Sequence, residues 1–144
     1  MRFHAVLVAT LACGIAESLK VPNFEDLNLC YAYMTGGCRI KVKKGGVTNI
    51  AKYINDVKDD AHFKKDQHIV CDAAEREGSF GTCLYFEDIK VPYMTGADAK
   101  RLFKELAKKC TNCGRHPVGK DGHEGYITVQ QYGESNYCNG ACKA

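Results

Sequence analysis

No stretch of this sequence holds the ~18 consecutive apolar residues that a membrane-crossing helix needs. Insertion through a helix is therefore not expected. Internal repeats and low-complexity segments are also missing, and 144 residues with 45% hydrophobic content fit one ordinary globular domain. The formal charge of +3 is too mild to argue for nucleic acid or an anionic membrane as a partner. No Asn-x-Ser/Thr triplet occurs, so N-glycosylation is not expected. A nucleophile beside a base is lacking as well. Ser18, Ser79 and Ser135 sit outside any elbow motif, and His62 and His68 stand among aspartates that read as solvated charge. No catalytic residue and no cofactor is expected, and the chain is read as a non-enzyme.

What is present begins at the N-terminus. A short basic start, Met1-Arg2-Phe3-His4, precedes the apolar run "AVLVATLACGIA" (5–16), with small residues at Gly14 and Ala16. This is the pattern of a secretory signal peptide, cleaved between 16 and 18, with a single domain over 17–144. The nine cysteines include Cys13 inside that leader, so eight remain: Cys30, Cys38, Cys71, Cys83, Cys110, Cys113, Cys138 and Cys142. An even count in a small exported chain reads as four disulfides, each worth ~2–4 kcal/mol of stability.

Periodicity supplies the elements. "CRIKVKK" (38–44) alternates and predicts a half-buried strand with Arg39, Lys41 and Lys43 outward. "VTNIAKYINDVKDD" (47–60) places Ile50, Tyr53, Ile54 and Val57 on one helical stripe. "QHIVCDAA" (67–74) and "TCLYFED" (82–88) read as a hairpin. "TGADAKRLFKELAKKC" (95–110) reads as a helix with a Thr95/Asp98 capping box and the stripe Ala99, Leu102, Phe103 and Leu106. "YITVQQY" (126–132) is the last strand, with Ile127 and Val129 inward. The order β-α-β-β-α-β predicts an α+β fold, a split-βαβ sandwich with two helices on one face of an antiparallel sheet. Tyr85, Tyr126 and Tyr132 fall on the other face, beside the cations of 38–44. An RNA platform is disfavoured, because the aromatic-rich run such sheets use is absent.

Cys110-x-x-Cys113 with His116 and His123 offers zinc-type ligands, but the histidine spacing is not that of a finger. A redox role needs the pair at a helix N-terminus, whereas here it follows a C-terminus. The pair therefore reads as two structural staples, and no metal is expected. The loop "GRHPVGKDGHEG" (114–125) is long, glycine-rich and basic, a common functional surface.

A helix ending in C-x-x-C-G, then a polar loop, a "-TV-" strand and a terminal cysteine resembles the fungal killer toxin 4-like family, the smut killer toxin and its secreted homologues. The residues are "LFKELAKKCTNCGRHPVG", "YITVQQY" and Cys138, with "QHIVCDAAEREGSFGTCLYFE" and the pair Cys30/Cys38 upstream. The resemblance spans roughly residues 30–138. It implies a secreted, disulfide-rich α/β sandwich that arrests target cells by blocking a calcium channel. It further implies the pairs Cys30–Cys110, Cys38–Cys113 and Cys71–Cys138, and with them Cys83–Cys142. The chain departs from the prototype where a functional lysine stands two residues before the cysteine matching Cys71, since Ile69 occupies that place. Lys41, Lys43, Arg115, His116 and Lys120 are the candidate target contacts, cations suited to an acidic channel mouth. The expected partner is a membrane protein of the target cell, met by an extracellular monomer. The alternative is a non-toxic fungal effector or binding protein in the host apoplast.

Overall fold

The computed structural model describes residues 29–31, 46–73, 81–132 and 138–144. Their elements are β1 (Leu29–Tyr31), α1 (Gly46–Ile50), β2 (His62–Phe63), β3 (His68–Asp72), β4 (Gly81–Glu87), β5 (Met94–Thr95), α2 (Gly96–Ala107), β6 (Cys113–Pro117), β7 (Tyr126–Tyr132) and β8 (Gly140–Ala141). The expected leader (1–16), the expected strand 38–44 and most of the connector 75–81 lie outside the described residues.

β4 is rich in β-branched and aromatic residues, and Gly81 through Phe86 are all buried. That burial follows from its place: β7 pairs with it on one side and β3 on the other, both antiparallel. The main sheet runs β1-β6-β7-β4-β3-β8, and β2 and β5 form a separate two-stranded ribbon. Every pairing is antiparallel. The β3–β4 hairpin and β7 stand where the sequence reading put them.

Register sorts the side chains. Leu84 lies opposite Val129 and Phe86 opposite Ile127, so these four share one face. Val47 and Ile50 of α1 and Leu102, Phe103 and Leu106 of α2 join them in a single hydrophobic cluster. Both helices therefore cover one face of the sheet, and the α+β, disulfide-rich class holds. Fully burying each such side chain stabilises the fold by ~1.5–3 kcal/mol.

α2 begins as its sequence dictates. The Asp98 N–H donates to Thr95 Oγ1 at 3.1 Å and the Thr95 N–H donates to Asp98 Oδ2 at 3.3 Å, completing the capping box. Two further first-turn donors are satisfied from outside the helix: Gly96 N–H by the Ala61 carbonyl (2.8 Å) and Ala97 N–H by that of Asp59 (3.1 Å). That approach is close enough to require glycine at 96, because a Cβ there would meet the Lys58 carbonyl.

Three expectations need correction. The segment 47–60 is not one helix: α1 ends at Ile50, and a short 3-10 turn covers Ile54–Asp56. Lys52 and Tyr53 donate three residues back, to Asn49 and Ile50, at 3.1 and 3.0 Å. β-Branched residues and Asn49, Asn55 and Asp56 weaken a longer helix, although Ile50, Ile54 and Val57 still reach the core. Residues 113–117 form a strand rather than the start of a loop, because β1 and β7 supply pairing on both sides. The loop proper shrinks to 118–125.

The third correction concerns the bridges. Cys30–Cys110 forms as the resemblance implies, tying β1 to the end of α2. Cys71 pairs with Cys83, not Cys138, and Cys138 pairs with Cys142, so Cys83–Cys142 does not form either. The register explains it. Cys71 and Cys83 are directly opposed on β3 and β4, with Cα atoms 4.1 Å apart. The tail turns at Gly140 (φ 86°), which brings Cys142 back to Cys138, four residues away. Cys113 is disulfide-bonded too, and its partner lies outside the described residues, as does Cys38.

Candidate target-contact surface

Alternation on β6 sends Arg115 and His116 to opposite faces of the sheet. Arg115 lies opposite Thr128, on the face away from the helices. Its guanidinium stacks 4.2 Å from the Tyr126 ring centroid, and its Nη1 is 3.9 Å from Glu87 Oε2. Thr128 donates its hydroxyl to the same Glu87 oxygen at 2.9 Å. Arg115 therefore braces three strands: β6 that carries it, β7 under its ring contact, and β4 through Glu87. Its Nε–H is buried and donates to no partner among the described residues, and its side chain is 28% exposed. It is a cation turned along the sheet rather than out from it.

His116 lies opposite Ile127, on the helix face, and is half-buried. Burial lowers its pKa below the ordinary histidine value; Glu105 pulls upward, and Lys109 and Arg101 push further down. Burial thus disfavours its charged form, which makes it a poor cation to offer a target.

Lys120 is exposed on the 118–125 loop. The loop is tied to itself: Val118 N–H donates to the Gly125 carbonyl at 2.9 Å, and His123 N–H to Asp121 Oδ1 at 3.1 Å. Gly122 (φ 73°) turns over the Tyr126 hydroxyl, where a Cβ would not fit. Asp121 and Glu124 are exposed beside Lys120, so the loop surface is of mixed sign rather than basic throughout. Lys41 and Lys43 lie outside the described residues. Of the candidates that are described, Arg115 and Lys120 belong to β6 and the loop that continues it, and His116 is turned away from Arg115.

Two features escaped the sequence reading. On the face that carries Arg115, His68, Tyr85 and Tyr132 meet edge to face, with ring centroids 4.5 Å (His68–Tyr132) and 5.7 Å (Tyr85–Tyr132) apart. Tyr85 donates to Gln130 Oε1 at 2.6 Å. Period-two alternation predicted the tyrosine face, and Tyr85, Tyr126 and Tyr132 do share it; His68 joins through a register shift between His68 and Val70. The second feature is a ledge beside the β2–β5 ribbon, where His62 stacks on Tyr93 at 4.0 Å and Val91 and Tyr93 are both exposed. Ile69, at the position of the prototype's lysine, is fully buried. It offers no contact.

Ligand atoms of His68, Cys71 and Cys83 lie within 4.8 Å of one another, and so do those of Cys71, Cys138 and Cys142. These sulfurs are consumed in the two bridges, which leaves no thiolate to hold a metal. Among the described residues no helix is long and apolar enough to cross a membrane.

An antiparallel sheet pinned by disulfides, two helices on one face and a charged, self-tied loop define a small disulfide-stapled α+β protein. The Kp4 (killer toxin 4) family model matches residues 32–132, and the chain belongs to that family. No curated protein and no solved structure matches it.

Proposed function

We propose that this killer-toxin-like protein is secreted and arrests the growth of target cells by binding a membrane protein at their surface, a calcium channel being the expected class. The observation that carries the reading is membership of the Kp4 family across residues 32–132. The bridges Cys30–Cys110, Cys71–Cys83 and Cys138–Cys142 fit an oxidising, extracellular setting. The mode of action is binding, with no catalytic step. Lys120 is the primary contact on the described surface, since it is exposed on a loop whose ends are fixed in the sheet. Arg115 acts as the brace beneath that loop, and His116 is part of the frame. Lys41 and Lys43 complete the set of contacts.

The test applies the purified protein to fungal and plant cells in culture. Growth arrest that added calcium relieves is the expected result. Arrest that calcium does not relieve would remove the channel from the proposal. A folded, correctly bridged protein that leaves all cells growing would overturn the toxin reading in favour of a silent effector.

A further inference from the structure

Two disulfides of different accessibility converge on one sulfur. Cys71 and Cys83 are both fully buried, while Cys138 and Cys142 are half-exposed. The Sγ of Cys71 lies within 4.8 Å of the Sγ atoms of both Cys138 and Cys142. The tail is held there by the backbone: Val70 pairs with Ala141 and Cys71 with Gly140 across β3 and β8, and Cys142 N–H donates to the Ile69 carbonyl at 2.9 Å. A ring nitrogen of His68 lies within 4.8 Å of both Cys71 Sγ and Cys83 Sγ.

We infer that Cys71, Cys83, Cys138 and Cys142 form one thiol–disulfide exchange site, entered by small-molecule thiols through the tail bridge and ending in a free thiol at Cys83. An external thiolate reaches Cys138–Cys142 and not Cys71–Cys83, because only the former is accessible. It attacks one tail sulfur; a mixed disulfide forms there, the tail S–S bond breaks, and the other tail sulfur leaves as a thiolate. That thiolate attacks Cys71 Sγ, its neighbour. A new bond joins the tail to Cys71, the Cys71–Cys83 bond breaks, and its electron pair goes to Cys83. One thiolate enters and one leaves, so the sequence needs no further oxidant or reductant.

Cys71 is the electrophile and Cys83 the leaving group because only Cys71 groups with the tail sulfurs. His68 is a positioning residue: a ring N–H beside Cys83 can donate to the departing thiolate and favour its release. The outcome is structural as well as chemical. The oxidised tail closes only on itself, over four residues, whereas the exchanged tail is tied covalently to β3.

The experiment exposes the folded protein to limiting glutathione, quenches with acid, alkylates free thiols and maps the peptides by mass spectrometry. Expected are alkylated Cys83, a glutathione adduct on one tail cysteine, and a peptide joining Cys71 to the other. Alkylation confined to Cys138 and Cys142 with Cys71–Cys83 intact would overturn the inference. So would alkylated Cys83 without any Cys71–tail peptide, which would mean direct attack on the buried bridge. A Cys138→Ala/Cys142→Ala variant supplies the second arm. It removes only a four-residue staple, so the fold is retained, and Cys83 alkylation is expected to be lost. Persistent alkylation in that variant refutes entry through the tail.

Discussion

Arg115 and Tyr126 form a cation–π contact, with the guanidinium 4.2 Å from the ring centroid. The contact joins β6 to β7 at the base of the 118–125 loop, and Glu87 of β4 extends it. Arg115 therefore works inside the frame, and its loss is expected to appear in stability. Arg115→Ala removes the ring contact and its packing, a cost of about 1–2 kcal/mol. Urea unfolding at neutral pH measures it. An unchanged midpoint would mean that the guanidinium is solvated and free for a target after all.

Lys120 should behave in the opposite way. It is exposed on the loop, and no hydrogen bond or ion pair of its side chain is seen among the described residues. Lys120→Glu is expected to leave unfolding free energy within about 0.5 kcal/mol of the parent. Potency in a growth assay should fall on the order of tenfold, because reversing a rim charge slows encounter with an acidic surface. Equal potency would exclude Lys120 from the contact. Comparing the two variants separates frame from contact without knowledge of the target.

The elements that alternation or a helical stripe could reveal were legible in the sequence. α2 stands on its Thr95/Asp98 cap and its stripe of Ala99, Leu102, Phe103 and Leu106, all local signals. β4 and β7 carry the inward pairs Leu84/Phe86 and Ile127/Val129, which share one face in the fold, and β3 was legible as the other arm of the hairpin. β6 was not legible, because Cys-Gly-Arg-His-Pro has no alternation; it is a strand only because β1 and β7 lie on either side. The same long-range pairing decides what Arg115 does, since Tyr126 and Glu87 reach it from two other strands. Disulfide pairing was illegible for a further reason. Cys71 has Cys83 opposite it and both tail sulfurs within 4.8 Å, so neither spacing nor resemblance could choose among neighbours that close.

Mild acid should destabilise the protein through its half-buried histidines. Burial lowers the pKa of His68, and burial is also the main cause of the lowered value for His116. A histidine with a depressed folded pKa binds its proton more readily in the unfolded chain. Its contribution is present in full above the unfolded value of about 6.5 and is lost as pH falls through the folded value. Unfolding free energy is therefore expected to drop between pH 7 and pH 5. The paired variant His68→Gln/His116→Gln should flatten that slope, as read from urea titrations at both pH values. A slope as steep as the parent's would place the acid sensitivity elsewhere.

The start of α2 gives the sharpest test of the packing argument, because two substitutions act there by different means. Thr95→Ala removes the side-chain acceptor for the Asp98 N–H and should cost about 1 kcal/mol. Gly96→Ala would ordinarily help a helix, by up to ~1 kcal/mol of backbone propensity. Here the new Cβ meets the Lys58 carbonyl, a backbone atom that cannot swing aside. Pushing α2 away would also stretch the bonds from Gly96 to Ala61 and from Ala97 to Asp59. Overpacking of this kind costs ~1–3 kcal/mol, so the clash outweighs the propensity and the net change is destabilising. Thermal unfolding of both variants checks the order. A Gly96→Ala protein more stable than the parent would show that α2 can shift off the 58–61 segment without loss.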